Sequence, residues 1–482
     1  MNSLRKKILL QFLVSNGATA ANFGLSIVLA RLLSPSEIGI FSMTAIAVSF
    51  AHVFRDFGVV SFIKQQKELN SDIIATATGV LITTSWAIAA VLYLLSSYWA
   101  NWFDEPGIEQ VMHVLALGFV FIPFGAIPQA VLTRNFEVGK QAIATIVSTA
   151  TYISAAILLA LNDFSYMSMA WANLVNILVT GACYIVLRPP EVTMRASLRQ
   201  WRRVVNFGTG AMLTSSLKAI DLALPDILLG KMSGAHQVGL FSRANSTVNI
   251  LNHVAGPTIN YVALPYLARV HHGGHDMAAE LKRVIAYISG IFWPALAVTA
   301  VLADPIIVLL YGEAWRESAT AMGWLCLACA AQTTFSLTQP ALTGIGRPYL
   351  SAIALICAVT LKILFGILLY DGSLASFGIA IAIADLLTML PYIYLLTSFL
   401  GLRLGDILGS LGRTTIVAAS VLGATLLCRE LLPANEHPAF VVGLSCLVAI
   451  PVWYLAIRFT QHPLTREFSL LQAELGKRLA RS

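Results

Sequence analysis

The run Gln237-Val238-Gly239-Leu240-Phe241-Ser242-Arg243-Ala244 has a counterpart 200 positions earlier, Ile38-Gly39-Ile40-Phe41-Ser42. Gly, Phe and Ser stand in the same order in both runs, and aliphatic residues fill the positions between them. Lys231 and Arg31 each lie eight residues before the glycine of their run. A match at a fixed offset indicates internal duplication. The sequence therefore predicts two halves of about 200 residues that share one plan.

The composition is typical of a protein that crosses a membrane many times. Of the 482 residues, 57% are hydrophobic and 11% are charged, whereas soluble domains average about 25% charged residues. One soluble core could not cover so much apolar surface, so a polytopic membrane protein is predicted. All six cysteines fall in apolar stretches, which favours small buried hydrophobes over redox or metal chemistry, even for the pair Cys326-x-x-Cys329.

About fourteen apolar stretches have the length of roughly 20 residues that a transmembrane helix needs. They comprise residues 9–31, 38–60, 74–98, 109–131, 140–161, 167–187, 204–230, 237–266, 284–309, 318–341, 349–370, 375–399, 412–431 and 438–458. The first could instead be a cleaved signal peptide, because basic residues precede its apolar core. Retention is favoured, since apolar character continues to Leu33 and the segment belongs to the first repeat.

The distribution of Lys and Arg predicts the orientation of the chain. Connections on the side of the N-terminus hold 24 of the 31 Lys and Arg residues, and the opposite side holds four. Lys and Arg accumulate on the cytoplasmic side of membrane proteins, so both termini are predicted to be cytoplasmic. The net charge of +7 therefore follows from topology and favours contact with anionic lipid, and no nucleic-acid partner is predicted.

The duplication extends beyond the first match. Pro128-Gln129-Ala130-Val131-Leu132-Thr133-Arg134 at the end of the fourth span resembles Pro340-Ala341-Leu342-Thr343 at the end of the tenth. Each repeat holds six spans, and parallel repeats occur in transporters that bind substrate between their halves. The predicted organisation is an N-lobe at 1–188 with helices 1–6, a cytoplasmic linker at 189–203, a C-lobe at 204–400 with helices 7–12, helices 13–14 at 401–460, and a cytoplasmic tail at 461–482.

A few charged residues fall inside predicted spans, where a charge costs at least ~2.5–3.5 kcal/mol on insertion and usually faces a cavity or a partner. Cations in a membrane cavity suit an anionic head group, because Arg binds phosphate oxygens bidentately. Acids at the same depth could carry coupling protons. The predicted substrate-binding cations are Arg31, Lys218, Arg243 and Lys362, and the predicted ion-coupling acids are Asp221, Asp226 and Asp385.

Each of these residues also has a purely structural interpretation. Lys218 and Asp221 lie three apart on one helix face and could neutralise each other. Which acid would carry a coupling ion stays open at this stage. The alternatives for the others are a pairing of Arg243 with Asp226, extension of Lys362 to the membrane edge, and a polar bridge between helices at Asp385.

No cofactor or metal is predicted. His271-His272-Gly273-Gly274-His275 carries metal-binding side chains, but it lies in a short polar loop without Cys, which favours a solvated loop. The sequence contains no nucleotide P-loop and no nucleophile motif with its partners. The predicted outer connections are too short for an extracytoplasmic catalytic domain, so an enzyme is not predicted.

Several loop motifs resemble those of one known superfamily. Leu29-Ala30-Arg31-Leu32-Leu33-Ser34-Pro35-Ser36-Glu37-Ile38-Gly39-Ile40-Phe41 is similar to the first-loop signature of polysaccharide flippases in the multidrug/oligosaccharidyl-lipid/polysaccharide exporter superfamily. Leu229-Gly230-Lys231, followed by the opening run, resembles its second-half counterpart. The resemblance covers nearly the whole chain and is nearest to the colanic-acid and succinoglycan exporter branch. Two further motifs that resemble this superfamily are Gly312-Glu313-Ala314-Trp315 and Gly344-Ile345-Gly346-Arg347-Pro348.

This resemblance implies two six-helix lobes arranged as a V, with two additional C-terminal helices. It implies a flippase that moves an undecaprenyl-pyrophosphate-linked oligosaccharide to the outer leaflet of a bacterial inner membrane, by ion-coupled alternating access, for exopolysaccharide, O-antigen or capsule assembly. The implied partners are membrane lipids and the polysaccharide polymerase and chain-length machinery. One spacing departs from the repeat, because Gly208 lies farther from Gly239 than Gly17 lies from Gly39. The seventh span is therefore predicted to be longer, or broken at Pro225.

Two other functional classes remain open from the sequence. A multidrug or organic-cation antiporter of the same superfamily would favour an acidic cavity, whereas the embedded charges here include Lys218, Arg243 and Lys362. A membrane polysaccharide polymerase or lipid-linked glycosyltransferase would need an active-site loop outside the membrane, and the predicted connections are short. The flippase interpretation is therefore favoured over both.

Overall fold

The computed structural model describes residues 2–469 apart from 57, 66–68, 191, 194, 200, 255, 257–262, 264–265, 268, 271–272, 274–275, 434–435 and 468. In this part of the chain every regular element is a helix. Eleven of these helices are long and apolar enough to cross a membrane. The all-α, polytopic membrane architecture predicted from the sequence is therefore confirmed.

The chain folds into two compact units, Met1–Ser242 and Arg243–Ser482. The predicted lobe boundaries at 188 and 204 stay a prediction. The first unit holds α1 Asn2–Leu32, α2 Pro35–Asp56, α3 Val59–Gln65, α4 Ser71–Phe103, α5 Gly107–Arg134, α6 Val138–Leu161, α7 Met167–Val186 and most of α8 Trp201–Val248. The second holds α9 Met277–Val301, α10 Ala303–Tyr311, α11 Ser318–Thr334, α12 Thr338–Gly344, α13 Ser351–Leu368, α14 Leu374–Leu400, α15 Leu404–Leu431 and α16 Pro438–Phe459.

Eleven of the predicted spans coincide with these long apolar helices. Three have a different form. The span predicted at 204–230 lies in α8, where charged residues interrupt the apolar stretch. The span predicted at 237–266 lies only partly within the described residues. The span predicted at 318–341 is divided, because α11 ends at Thr334 and α12 begins at Thr338.

The break predicted at Pro225 in the seventh span is wrong; α8 turns at Gly234, in the connection predicted between the spans 204–230 and 237–266. Pro225 sits inside a helical stretch, whereas Gly234 has φ 76° and ψ −173°. A residue with a Cβ rarely adopts this conformation, so glycine is the residue that permits the turn between the two parts of the helix. The second part of α8 therefore begins at Ala235, within the repeated run.

Local capping sets several helix boundaries. The Asn70 side chain accepts a hydrogen bond of 2.9 Å from the Ile73 N–H at the start of α4. The Asp276 side chain accepts from the N–H groups of Ala278 and Ala279 at the start of α9. Gly401, with φ 74°, closes α14 in the left-handed conformation. Short polar side chains and glycine thus supply the partners or the geometry that helix ends require.

The two units repeat one packing order. In the first unit α5 packs against α4 and α7, and α7 packs against α6. In the second unit α11 packs against α9 and α14, and α14 packs against α13. These helices occupy corresponding places in the two predicted repeats, so the shared packing supports the duplication. α15 packs on α9, and α16 packs on α15 and α10, as helices added to the second unit.

Apolar side chains are divided between helix contacts and the lipid-facing surface. Phe119 and Met112 of α5 are almost fully buried against α2 and α4 in the first unit. Leu94, Val186 and Phe459, in contrast, are 76%, 80% and 85% exposed. Large exposed aliphatic and aromatic groups on apolar helices are expected where the solvent is hydrocarbon.

The predicted linker packs against α4. The Ser197 N–H donates a 2.9 Å hydrogen bond to the carbonyl oxygen of Ala75, and Val192 is buried in a cluster with residues of α3, α4 and α5. The chain beyond α16 is helical at 464–467. Residues 470–482 of the predicted cytoplasmic tail lie outside the described residues.

Candidate functional site: a polar pocket and a buried ion pair

A pocket of about 360 Å³ opens in the first unit between α2, α5 and α7. Two glycines allow α5 and α7 to approach closely beside it, since a Cβ on Gly125 would lie 2.9 Å from the Cα of Gly181. Apolar residues, among them Val60, Ile122 and Ile177, form part of the wall. The pocket is therefore a recess within one helix bundle.

Each of the three helices contributes two polar side chains to this pocket. The members of a pair lie three or four residues apart, so they project from one face of their helix. The result is six polar groups around one small volume. The pairs are His52 and Arg55 on α2, Gln129 and Thr133 on α5, and Asn176 and Thr180 on α7.

The pocket is suited to an anion that also carries hydroxyl groups. Its described lining residues include an arginine and a histidine and no acid. Arg55 lies in the last turn of α2, where a cation is favoured by the helix dipole. A guanidinium binds phosphate oxygens bidentately, and Asn, Gln and Thr side chains can donate to or accept from sugar hydroxyls. The His52 ring also lies 4.8 Å from the Phe119 ring, which limits its movement.

The sequence analysis missed this site. The predicted second span, 38–60, contains Arg55, but Arg55 was not named among the charged residues inside spans; it lies in the last turn of α2, which ends at Asp56. The available signal was the polar pair His52 and Arg55 on one face of an apolar helix. Only the convergence of α2, α5 and α7 shows that three such pairs share one pocket.

The predicted site residues are divided between the two units. Four of them lie in the first unit. Arg31 is exposed in the last turn of α1. On α8, Lys218 is exposed, whereas Asp221 and Asp226 are half-buried. Those in the second are Arg243, which is half-buried, and Lys362 and Asp385, which are buried. Their proposed roles in substrate binding and ion coupling stay predictions.

The structure brings Lys362 and Asp385 together. The Lys362 Nζ lies 3.3 Å from Asp385 Oδ1, and each side chain is only 3% exposed. Gln332 Nε2 donates a 2.8 Å hydrogen bond to Asp385 Oδ2. The ion pair therefore links α13 to α14, and the Gln332 amide links α11 to α14. Removing one buried partner would leave the other charge without compensation in a medium of low dielectric constant.

A second cluster of polar side chains in this unit lies at the end of α8, which is Val248. Asn249 Nδ2 donates a 2.8 Å bond to Asn245 Oδ1, and Asn252 Nδ2 donates to Asn249 Oδ1 at 3.1 Å and to Cys329 Sγ at 3.2 Å. Cys329 and Cys326 are buried free thiols. The described residues hold no cluster of metal-binding side chains, and most of the loop 271–275 lies outside them.

Comparison with known proteins places the fold and the family. The chain is 24% identical, over 77% of its length and 76% of the relative's, to the succinoglycan biosynthesis transport protein ExoT of Rhizobium meliloti (strain 1021). Its fold resembles the lipid II flippase MurJ in an inward closed conformation, with a TM-score of 0.74, 13% identity, and coverage of 94% of this chain and 99% of that one. It also resembles an inward-facing multidrug resistance MATE transporter, with a TM-score of 0.60, 15% identity, and coverage of 83% and 94%.

The sequence identities to these proteins are too low to assign the chain to a family, and a family model supplies that assignment. The model described as "Polysaccharide biosynthesis protein" matches residues 28–320, which is more than half of the chain. The matched region contains both copies of the repeated run and all three helices of the polar pocket. This multi-pass membrane protein belongs to the family of polysaccharide biosynthesis proteins.

Proposed function

We propose that this protein is a flippase. It moves undecaprenyl-pyrophosphate-linked oligosaccharide repeat units across the bacterial inner membrane, for assembly of exopolysaccharide, O-antigen or capsule. Both termini lie in the cytoplasm, and transport proceeds by ion-coupled alternating access. The glycan is then available to a polysaccharide polymerase and its chain-length machinery on the outer side. The protein is a transporter and not an enzyme.

The observation that carries this proposal is the polar pocket of the first unit, whose described lining residues include Arg55 and no acid. The Arg55 guanidinium can bind negative charge, and the amide and threonine side chains can bind hydroxyl groups. A pyrophosphate joined to a sugar presents both within a few ångströms. The family assignment and the transport relative support the same substrate class. The lipid tail could stay in the bilayer while the polar head enters the pocket.

Replacement of Arg55 tests the proposal directly. Arg55→Gln removes the bidentate charge, and hydrogen bonds to charged groups contribute about 1.5–3 kcal/mol. Binding of undecaprenyl pyrophosphate to the purified full chain in nanodiscs should therefore weaken by roughly 10- to 100-fold. Arg55→Lys should retain part of the affinity, because it keeps the charge without the fork.

The matched control is Arg283→Gln. Arg283 is 50% exposed and pairs with Glu280 on the same helix at 3.1 Å, away from the pocket lining. This variant should bind as the wild type does. In cells, export of polysaccharide should fall with Arg55→Gln at unchanged protein level. Wild-type affinity and export in Arg55→Gln would exclude the pocket as the head-group site.

The rival function is an antiporter of drugs or organic cations, which the MATE-like fold permits. An arginine and a histidine among the described lining residues of the pocket disfavour a cationic ligand. Expression of the chain in a drug-sensitive strain distinguishes the two functions. Increased drug resistance without any effect on polysaccharide would favour the antiporter, whereas restored polysaccharide in a strain that lacks its flippase would favour the present proposal.

A further inference from the structure

The two copies of the repeated run lie against each other in the first unit. α2 begins at Pro35, and the second part of α8 begins at Ala235, so each run forms the first turns of a helix. A Cβ added to Gly39 would lie 1.8 Å from the carbonyl oxygen of Ala235. A Cβ added to Gly239 would lie 1.8 Å from the carbonyl oxygen of Pro35. The contact is therefore reciprocal, and both glycines are required for it.

Side chains around the glycines follow the same symmetry. The Ser42 Oγ lies 3.4 Å from the Ser242 Oγ, and the Ser36 Oγ lies 3.5 Å from the His236 Nδ1. These pairs join residues 200 positions apart, as the sequence repeat does. The contact thus has a local two-fold relation that the duplication created. Helix pairs with small residues four apart, such as Ala235 and Gly239, pack closely in membranes through van der Waals contact.

The described polar contacts between the two runs are long. Both the Ser42–Ser242 pair and the Ser36–His236 pair are at the long end of the hydrogen-bond range. Nearby, Lys231 Nζ donates to the carbonyl oxygen of Trp102 at 2.7 Å and lies 3.4 Å from Asp104. Both members of that ion pair are exposed, at 46% and 85%, so it adds little stability. Close backbone packing at Gly39 and Gly239 brings the two helix starts together.

The contact lies beside a hinge, at the end of the unit opposite the N-terminus. Lys7, near the start of α1, donates to the carbonyl oxygen of Phe136 at one end of the unit. α1 ends at Leu32, just before the contact, so the contact lies at the other end, which the charge distribution predicts to be the outer side. Gly234 immediately precedes Ala235, and its unusual backbone conformation lets the second part of α8 change direction.

We propose that the duplicated runs Pro35–Ser42 and Ala235–Ser242 form a reversible outer seal, which parts about Gly234 to release the transported molecule. The inference rests on the proposed transport function. It explains why the glycine is present in both copies of the run, since each copy needs a helix surface without a side chain. It also assigns these residues to control of access and not to recognition of the substrate.

Disulfide trapping tests whether the seal must open. In a full-length background in which the native cysteines are replaced and export persists, Ser42→Cys and Ser242→Cys place two thiols where the hydroxyl oxygens are 3.4 Å apart. Oxidation should join them and abolish export, and a reducing agent should restore it. The matched control is Ser289→Cys with Thr414→Cys, whose oxygens are 3.1 Å apart between α9 and α15. That cross-link should leave export unchanged.

A second measurement does not depend on cross-linking. Gly39→Ala places a methyl group against the Ala235 carbonyl and should hold the seal open. A single thiol at Ser42→Cys should then react faster with a membrane-impermeant maleimide added outside the cell. Gly24→Ala is the control, because no atom lies within 4 Å of its added Cβ. Equal labelling in the two variants, or full export with the Ser42→Cys/Ser242→Cys cross-link formed, would overturn the seal.

The labelling result is independent of the substrate. Faster labelling in Gly39→Ala together with no polysaccharide phenotype for the chain would refute the proposed function and leave the seal in place. Normal export that persists through a formed cross-link would refute the seal and leave the proposed function in place.

Discussion

The buried pair Lys362 and Asp385 gives the sharpest prediction for stability. Each side chain is 3% exposed, and Nζ and Oδ1 are 3.3 Å apart. Lys362→Met leaves a buried carboxylate that still accepts from the Gln332 amide, and Asp385→Leu leaves a buried ammonium without this carboxylate. Either single change should therefore cost about 3–5 kcal/mol of unfolding free energy.

The double variant should be far more stable than the sum of the single costs suggests. Lys362→Met with Asp385→Leu removes both charges and replaces them with apolar groups, which is often neutral or stabilising. The Gln332 amide loses its partner, at a cost of about 1–3 kcal/mol. The coupling energy between the two sites should then be at least about 3 kcal/mol.

Chemical unfolding of the purified full chain in detergent micelles measures this cycle. Lys282 and Asp406 supply a control pair of the same residue types, 2.6 Å apart but 47% and 38% exposed. Their coupling energy should be about 1 kcal/mol or less, because solvent screens an exposed pair. The losses of unfolding free energy in the two single variants could simply add in the double variant, or each could be no greater than in the control pair. Either result would show that the ion pair does not compensate buried charge.

Two further predictions concern the end of the second unit and the polar pocket. Burial, with a smaller effect from the Arg413 charge, lowers the pKa of His462 from 6.5 to about 4. As pH falls from about 6.5 to 4, the imidazole of His462 is therefore protonated in the unfolded state before it is protonated in the folded state. The wild type should lose up to about 3 kcal/mol of unfolding free energy over that pH range. Unfolding at several pH values measures this loss. His462→Asn should remove this dependence, and an unchanged pH profile in that variant would contradict the assignment. Gly125→Ala should push α5 from α7, cost about 1–3 kcal/mol, and weaken undecaprenyl pyrophosphate binding, whereas Gly139→Ala, with no atom near its added Cβ, should change neither.

The sequence predicted the membrane architecture because the relevant signals are local. Apolar runs of helical length, and the one-sided distribution of Lys and Arg, can be read without knowing any contact. The duplication was also readable, because Gly39 and Gly239 stand in the same short pattern. The packing order shared by the two units follows from it, since α5 and α11 occupy equivalent places in the two repeats.

The sequence predicted an interruption around Gly234, because this residue lies in the connection between the predicted spans 204–230 and 237–266. The break suggested at Pro225 was wrong, since neighbouring helices can satisfy the backbone groups that a proline frees in a membrane helix. Which residue of the connection makes the turn was not predicted, because Gly234 is one of 33 glycines in the chain. Only the structure shows its φ of 76°.

The candidate site was missed in part because its residues converge from separate helices. Lys362 and Asp385 lie on α13 and α14, and no periodicity links two residues on different helices. Their contact depends on how the two helices pack, which the apolar pattern leaves undetermined. Arg55 was missed for a simpler reason, since a cation in the last turn of a membrane helix resembles the cations that mark the cytoplasmic side.

The ion pair also bears on which acid couples transport to an ion. A proton or metal cation that binds at Asp385 would have to weaken the 3.3 Å contact of this carboxylate with the buried Lys362 ammonium, which disfavours Asp385 in this role. Asp221 and Asp226 are half-buried on α8, the helix that carries the Gly234 hinge. Asp226 lies eight residues before Gly234, or about 12 Å along a helix. A change of charge there would act on the same helix that the outer seal must move, so Asp221 and Asp226 stay the predicted coupling acids. Export that survives in the folded double variant Lys362→Met/Asp385→Leu would agree with this assignment, and loss of export in that variant at wild-type stability would return the role to Asp385.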